Sequence, residues 1–331
     1  MTSRMCRQRG WRGAAAVSAA ALACGLAITL GGVFGAFAST NANPSNNFAS
    51  APDYVAPSVS RSVIGKTQGG TPGYIHQGGT YLVYAEVTDT GNPASGVSTV
   101  SSNSATLTTG ATSTSLASGS FPIGGLSYGR QSASLTANAT LPAGTYNYSV
   151  SSTDVAGNSG SSNFTVTVDN TVPTGTDIQT ANGGSLAGRP EQNDTITYTF
   201  SEPIDPNSII AGWTGAATNV VVRVNDGLLS NDQVQIFNST NTSQLPLGNV
   251  NLGRLDYTLL NLTFGATGTA SSMSMSGNAI TVQLGNPSTL SSPALGAGAM
   301  IWTPSATATD YAGNATSTTS RTETGTADID F

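Results

Sequence analysis

Short runs of alternating apolar and polar residues recur along this chain. In Thr195–Phe200, three threonines alternate with an isoleucine, a tyrosine and a phenylalanine. Successive side chains of a strand point to opposite faces of a sheet, so this period of two predicts a strand with one buried face. With Gly, Pro, Asn and Ser clusters as boundaries, the same analysis predicts strands at Tyr81–Val87, Ser132–Ala137, Tyr146–Val150, Phe164–Val168, Val220–Val224, Val234–Phe237, Leu255–Phe264, Met273–Met275, Ile280–Leu284, Met300–Ala308 and Ala315–Thr322.

One short helix is predicted among these strands. Asp205 suits the N-cap position, Pro206 suits the first helical position and Gly212 can end the helix, which gives Pro206–Ala211. Strands and helices do not alternate, so a parallel α/β fold is disfavoured and an all-β fold is predicted.

The pattern Asp-x-Ala-Gly-Asn occurs twice, at Asp154–Asn158 and at Asp310–Asn314. Each copy lies between two Ser/Thr-rich alternating runs and therefore predicts a hairpin turn, in which glycine tolerates positive φ and the aspartate carboxylate binds nearby backbone N–H groups. The repeat predicts two comparable β units, at residues 61–170 and 171–326. Pro173 lies at the joint between them and stops strand pairing there.

The N-terminus has the features of a signal peptide. Four arginines lie within the first 12 residues, Gly13–Phe37 carries no charge, and Ala36–Ala38 matches a small-x-small cleavage pattern. We expect a cleaved signal over 1–38; the alternative is an uncleaved anchor, because about 20 apolar residues can span a bilayer. Residues 39–60 are rich in Asn, Pro, Ser and Ala and predict a disordered leader.

The composition limits which cellular compartment and which classes of partner are expected for this protein. Both cysteines, Cys6 and Cys24, lie in the signal segment, so the mature chain has no disulfide, no thiol nucleophile and no cysteine-bound metal. Four of the 11 Lys and Arg residues also lie there, which leaves seven against 17 acids and a net charge of −10. This balance argues against nucleic acid and anionic lipid surfaces. Charged residues are only 8% of the chain, which is unfavourable for helices and typical of an extracellular β protein.

A tyrosine near the end of the first unit gives the first link to a known fold. Leu141–Tyr146 is a turn that leads into a strand, and Tyr146 precedes Tyr148 by two residues. A tyrosine corner takes the same position relative to strand F of immunoglobulin-like domains.

Together with Asp154–Asn158 and Val168–Thr174, these residues resemble bacterial Ig-like domain proteins of the adhesin and S-layer type. The second unit resembles the SbsA-type variety in Phe200–Pro206 and Ala306–Asn314. The resemblance implies two tandem immunoglobulin-like antiparallel β-sandwiches after the signal peptide, and a structural or adhesive role at the cell surface. One sandwich fold hosts many roles, so the fold alone does not name the ligand.

Catalysis is not predicted. The only histidine, His76, lies at a turn, and the chain has no Gly-x-Ser-x-Gly nucleophile elbow. Glu202 and Asp205 could be imagined as an acid and a base, but helix capping accounts for Asp205. Lys66, the only lysine, is interpreted as an exposed edge residue that could in principle form an isopeptide bond.

Calcium is the one cofactor that the sequence suggests. Asp154, Asp169 and Asp177 lie in the inter-strand turn and at the domain joint, where carboxylates and carbonyls can supply the oxygen ligands that calcium takes. The alternative is that these acids cap turns on a solvated surface, since the chain has no Asp-x-Asp-x-Asp-Gly loop.

The sequence therefore predicts a non-catalytic secreted or cell-surface protein with a structural or adhesive role. Its partner would be an extracellular protein or a glycan, with no nucleic acid and no membrane apart from an uncleaved N-terminal anchor. Specificity would lie in loops such as Asn238–Asn251. One alternative is a carbohydrate- or cell-wall-binding module that uses Trp213 and the acidic loops; an extracellular hydrolase is a more distant one.

Overall fold

The computed structural model describes residues 52–67, 71–110, 113–327, 329 and 331. Within these residues the chain consists of strands and loops apart from one four-residue helix, and the strands form two sheets. The predicted all-β class is confirmed. The predicted signal over 1–38 lies outside the described residues. In the part of the chain that the structure describes, no helix is both long and apolar enough to cross a membrane.

The first sheet has nine strands. They are β1 (Ser58–Lys66), β2 (Tyr74–Ile75), β3 (Thr80–Thr88), β4 (Val97–Asn103), β5 (Thr114–Ile123), β6 (Leu126–Ser132), β7 (Leu135–Thr136), β8 (Gly144–Asp154) and β9 (Ser159–Val168). Their order is β1-β3-β6-β5-β4-β8-β9-β2, and β7 pairs with β3. The strand β2 pairs in parallel with β9.

The second sheet has ten strands. They are β10 (Gly175–Ala181), β11 (Thr195–Phe200), β12 (Thr218–Asn225), β13 (Gln233–Asn238), β14 (Asn249–Asn251), β15 (Leu262–Phe264), β16 (Ser271–Ser276), β17 (Ala279–Gln283), β18 (Ile301–Thr303) and β19 (Arg321–Thr322). Their order is β10-β11-β17-β16-β12-β13-β14-β18-β19, with β15 paired to β12, and the pairs are antiparallel.

The strand β11 shows how the alternating pattern builds the core. Ile196, Tyr198 and Phe200 are each at most 1% exposed, whereas the threonines between them are half-buried. Full burial of one such side chain contributes roughly 1.5–3 kcal/mol to folding. Trp302 packs edge-on against Tyr198 and Phe200, with ring centroids 5.3 and 4.9 Å apart, and its indole N–H donates to Leu247 O at 2.6 Å.

The predicted helix is confirmed and is shorter than expected. α1 spans Pro206–Ile209, and the Asp205 carboxylate accepts the backbone N–H of Asn207 at 3.0 Å as its N-cap. Ile210 is already extended, with φ of −136°. The helix therefore ends two residues before the predicted Ala211.

Several predicted strands are longer than the observed ones. Within Leu255–Phe264 only Leu262–Phe264 forms a strand. At Thr258 the backbone N–H donates to the fully buried carboxylate of Asp232 at 3.0 Å rather than to a neighbouring strand. Met300–Ala308 and Ala315–Thr322 also shorten, to β18 and β19, and Ser132–Ala137 shortens to β7 with Ser132 at the end of β6.

By their internal contacts the residues group into two compact units. The first comprises the described residues up to Ser60 together with Val87–Val100 and Ser151–Ser162. The second comprises Arg61–Glu86, Ser101–Val150 and Asn163–Phe331. The domain boundaries at 61–170 and 171–326 stay predictions. Residues 52–60 of the predicted leader include the start of β1 and the buried Asp53.

Candidate functional site

The first Asp-x-Ala-Gly-Asn turn forms the predicted hairpin and fixes a buried carboxylate. Asp154 is 2% exposed. Asn158 donates its backbone N–H to Asp154 Oδ1 and its side-chain amide to Asp154 Oδ2, both at 2.8 Å. Gly157 has φ of +95°, a left-handed conformation that glycine adopts without strain. The turn therefore holds the carboxylate in one orientation.

Two further acids meet Asp154. The first acidic cluster consists of Asp53, Asp89 and Asp154, and one carboxylate oxygen of each lies within 4.8 Å of those of the other two. The Asn158 amide also donates to the backbone oxygen of Asp53 at 2.9 Å, so a single asparagine ties two members of the cluster together. All of these residues lie in the first compact unit.

Backbone N–H groups orient the other two carboxylates of the first acidic cluster. Asp53 accepts from Val55 at 2.9 Å and from Ser95 at 2.8 Å, and these bonds lower the pKa of Asp53 below its ordinary value. Asp89 accepts from Gly91 at 3.3 Å and from Gly96 at 2.7 Å. These contacts hold the acids in place and leave further lone pairs on their oxygens.

The second turn repeats this arrangement bond for bond. Asn314 donates its backbone N–H to Asp310 Oδ1 at 2.8 Å and its side-chain amide to Asp310 Oδ2 at 2.8 Å. The same amide donates to the backbone oxygen of Asp169 at 2.8 Å. The second acidic cluster consists of Asp169, Glu202 and Asp310, again with oxygens within 4.8 Å of one another. It lies wholly in the second compact unit.

The correspondence between the clusters extends beyond the five-residue repeat. Asp53 and Asp169 each stand four residues before a proline, at Pro57 and Pro173. Their third members, Asp89 and Glu202, lie just after the ends of β3 and β11. Each cluster thus draws its acids from an entry segment, an early strand and a late hairpin.

Glu202 makes the second acidic cluster chemically different from the first. Its Oε1 atom is buried without a hydrogen-bond partner among the described residues. Desolvation by burial, followed by the nearby Asp169 and Asp310 charges, raises the pKa of Glu202 from 4.5 to about 7. Three carboxylates this close repel one another unless a proton or a cation intervenes. Carboxylate oxygens with a nearby carbonyl are the donor set that hard cations such as calcium take.

The metal residues predicted from sequence divide among three places. Asp154 lies in the first acidic cluster and Asp169 in the second. Asp177 lies in neither; its Oδ1 accepts the backbone N–H of Thr324 at 2.8 Å and the side chain of Gln179 at 3.1 Å. Sequence reasoning missed four members: Asp53, Asp89, Glu202 and Asp310. The repeat itself was the signal that could have pointed to Asp310.

Trp213 and the two acids considered for catalysis occupy structural positions. Trp213 is 9% exposed, belongs to the core of the second sheet and donates its indole N–H to Ala216 O at 2.6 Å. Most of its ring is therefore covered, unlike a stacking platform. Asp205 accepts backbone N–H groups of Asn207 and Thr71 on its two oxygens, while Glu202 belongs to the second acidic cluster.

Comparisons with known proteins add little. No family model matches the chain, and no curated protein matches it. One similar solved structure comes from work on the structural basis for the promiscuous specificity of carbohydrate-binding modules from the β-sandwich superfamily. It is 12% identical with a TM-score of 0.24, and the match covers 71% of this chain and 94% of that chain. A likeness this distant carries no argument about binding.

Proposed function

We propose that this chain is a non-catalytic extracellular or cell-surface protein with a structural or adhesive role, built from immunoglobulin-like sandwiches that calcium stabilises. The first support is the corner at the start of β8. The Tyr146 hydroxyl donates to the backbone oxygen of Pro142 at 3.0 Å, the bond expected of a tyrosine corner in such domains. A scaffold rich in Ser and Thr, with few charges, suits an extracellular setting.

The observation that carries the proposal is the duplicated acid–asparagine arrangement. In each acidic cluster one asparagine clamps the hairpin acid and the carbonyl of the entry acid with the same three hydrogen bonds. Turn-capping needs only one carboxylate, whereas both clusters bring three within 4.8 Å. A divalent cation would offset the repulsion among the three carboxylates and join segments that are distant in sequence.

Calcium is preferred to magnesium for a geometric reason. Calcium accepts six to eight oxygen ligands in a flexible geometry, whereas magnesium demands near-ideal octahedral coordination and keeps several waters. The carboxylates here are held by turns and backbone N–H groups rather than by a dedicated octahedral cage. A scaffold with two such sites would remain rigid in calcium-rich surroundings outside the cell.

Thermal melting tests this function. At calcium concentrations about 100 times the dissociation constant, ligand linkage gives about 2.7 kcal/mol for each site, and each site should raise Tm by roughly 5–10 °C relative to chelator. Magnesium should produce a smaller shift. Asp154→Asn and Asp310→Asn should each reduce the calcium-dependent rise, while Asp177→Asn, which lies outside both clusters, should leave it intact. Identical melting curves in calcium and chelator would exclude the cation from this role.

A further inference from the structure

A cavity of 330 Å³ surrounds Lys66, and none of the chemistry described above uses it. Its polar lining includes Lys66, His76, Thr80, Asp205, Asn207 and Thr309, and its apolar lining includes Ile75. All of these residues lie in the second compact unit. The volume falls within the range of small-molecule sites, roughly 300–1,000 Å³. We name it the Lys66 cavity.

A second, more open depression of 500 Å³ adjoins the Lys66 cavity. The two share Ser208 and Thr307 in their linings, so they lie next to each other. Gln244 and Asn249 bring amides to the second depression, and Pro246 and Pro304 bring flat apolar faces. We name it the Asn249 groove. Part of its lining comes from the loop Asn238–Asn251, where the sequence predicts specificity.

Lys66 is not the exposed edge residue that the sequence predicted. Its ammonium donates a hydrogen bond to the backbone oxygen of Tyr311. The Lys66 side chain also packs closely against Gly313, which has φ of +90°: a Cβ at this position would lie 3.1 Å from Lys66 Cδ. Burial lowers the pKa of Lys66, and the nearby Asp205 and Asp310 charges oppose that change. An ammonium has three N–H donors and the bond to Tyr311 uses one.

The charges around the cavity select against ionic ligands. Lys66 is already opposed by Asp205 and Asp310, so an anionic ligand would bring a further negative charge beside two carboxylates. The chain as a whole is also acidic, with 17 acidic residues against 11 basic ones, which further disfavours anions. A cationic ligand would meet the Lys66 ammonium. A neutral ligand meets neither penalty.

The hydrogen-bonding groups favour a ligand whose groups both donate and accept. The cavity offers the Lys66 ammonium as a donor and the Asp205 carboxylate as an acceptor, and each Asp205 oxygen keeps lone pairs beyond its bonds to Thr71 and Asn207. Ser and Thr hydroxyls do both. Sugar rings carry hydroxyls along their edges and C–H groups on their faces, which match these polar groups and the proline faces of the Asn249 groove.

We propose that the Lys66 cavity and the adjoining Asn249 groove bind a neutral oligosaccharide. This adds a partner class to the proposed structural role: a cell-surface scaffold that holds a glycan through side chains other than those of its cation clusters. The contacts would come from Lys66, Asp205 and Asn207 in the cavity and from Gln244 and Asn249 in the groove. The site replaces Trp213 as the place where sugar would bind.

Calorimetric titration of the purified full chain with neutral oligosaccharides tests the proposal. We expect saturable binding that Lys66→Met weakens about tenfold or more, since a hydrogen bond to a charged group is worth about 1.5–3 kcal/mol. Asn249→Ala, in the groove, should weaken it by about fivefold. The matched controls Arg130→Met and Asn147→Ala lie outside both linings and should leave binding unchanged. Circular dichroism confirms that each variant is folded.

Acidic oligosaccharides and inorganic phosphate form the other arms of the titration. The proposal is overturned by binding to these anions alone, by no binding to any neutral oligosaccharide, or by neutral binding that a folded Asn249→Ala variant retains in full. These outcomes are independent of the calcium-dependent rise in Tm. If the protein binds calcium but no glycan, the rise in Tm remains and the titration shows no glycan binding. If it binds a glycan but no calcium, the rise in Tm is lost and glycan binding remains.

Discussion

In each acidic cluster a single asparagine holds two of the acidic residues together by hydrogen bonds. Asn314 makes three hydrogen bonds, two to Asp310 and one to the backbone oxygen of Asp169, and Asn158 makes the equivalent bonds. Only a side-chain amide can donate to both acids from one short side chain. An acid at this position would accept rather than donate and would add a fourth negative charge.

We expect Asn314→Ala to lower the free energy of unfolding by about 1–3 kcal/mol, because the 2% exposed Asp310 loses a hydrogen bond without gaining water. Asn314→Asp should be worse in chelator, since charge repulsion adds to the lost bonds. Urea unfolding measures both. Asn219→Ala, an exposed asparagine of β12, should stay within about 0.5 kcal/mol of wild type. An Asn314→Ala variant as stable as this control would show that the clamp carries no stability.

Glu202 should give the cation-free protein a characteristic pH dependence. Burial, together with Asp169 and Asp310, raises the pKa of Glu202 from 4.5 to about 7, so the folded state holds this proton more tightly than the unfolded state. The resulting stability is fully present below pH 4.5 and is lost as the pH rises toward about 7. Urea unfolding in chelator across this window should therefore show a decline that Glu202→Gln reduces. Parallel curves for the two proteins would contradict this assignment.

At the scale of elements, the strands and the helix could be predicted from sequence where their signals are local. β11 and α1 were predictable because their signals are local: a period of two in one, and an N-cap followed by proline in the other. The stretch Leu255–Phe264 was not, since the buried carboxylate of Asp232 takes the N–H of Thr258. Asp232 lies 26 residues away in sequence, so no local pattern predicts this bond.

The corner at the start of β8 offers a test of the immunoglobulin-like interpretation. Tyr146→Phe removes only the hydroxyl that donates to Pro142 O, so we expect a loss of about 0.5–1.5 kcal/mol in the free energy of unfolding. Tyr54→Phe is the matched control, because Tyr54 is 78% exposed. Equal stability of the two variants in urea would mean that the corner bond does not support the fold.

For the molecule as a whole, the sequence revealed the duplication but not the membership of each cluster. The repeated pentapeptide marks Asp154 and Asp310, yet Asp53 and Asp89 reach the first of these through the fold, and Glu202 reaches the second. Glu202 was instead paired with Asp205 because the two are neighbours in sequence. In the structure the two acids have different roles: Asp205 caps α1, and Glu202 lies beside Asp169 and Asp310. Topology decides such groupings, and topology is not a local property.

The duplication also sets an expected stoichiometry. If both acidic clusters bind calcium, calorimetric titration of the chelator-treated protein should give two ions per chain, one for each cluster. Asp154→Asn and Asp310→Asn should each reduce this to one, because each removes the clamped hairpin carboxylate of a single cluster. The affinities should differ, since Glu202 must first give up a proton near neutral pH and its buried oxygen has no protein partner in the described chain. Asp177→Asn should keep both ions. A wild-type titration with one ion, lost only in Asp310→Asn, would mean that the first acidic cluster is held by its own backbone hydrogen bonds and needs no cation.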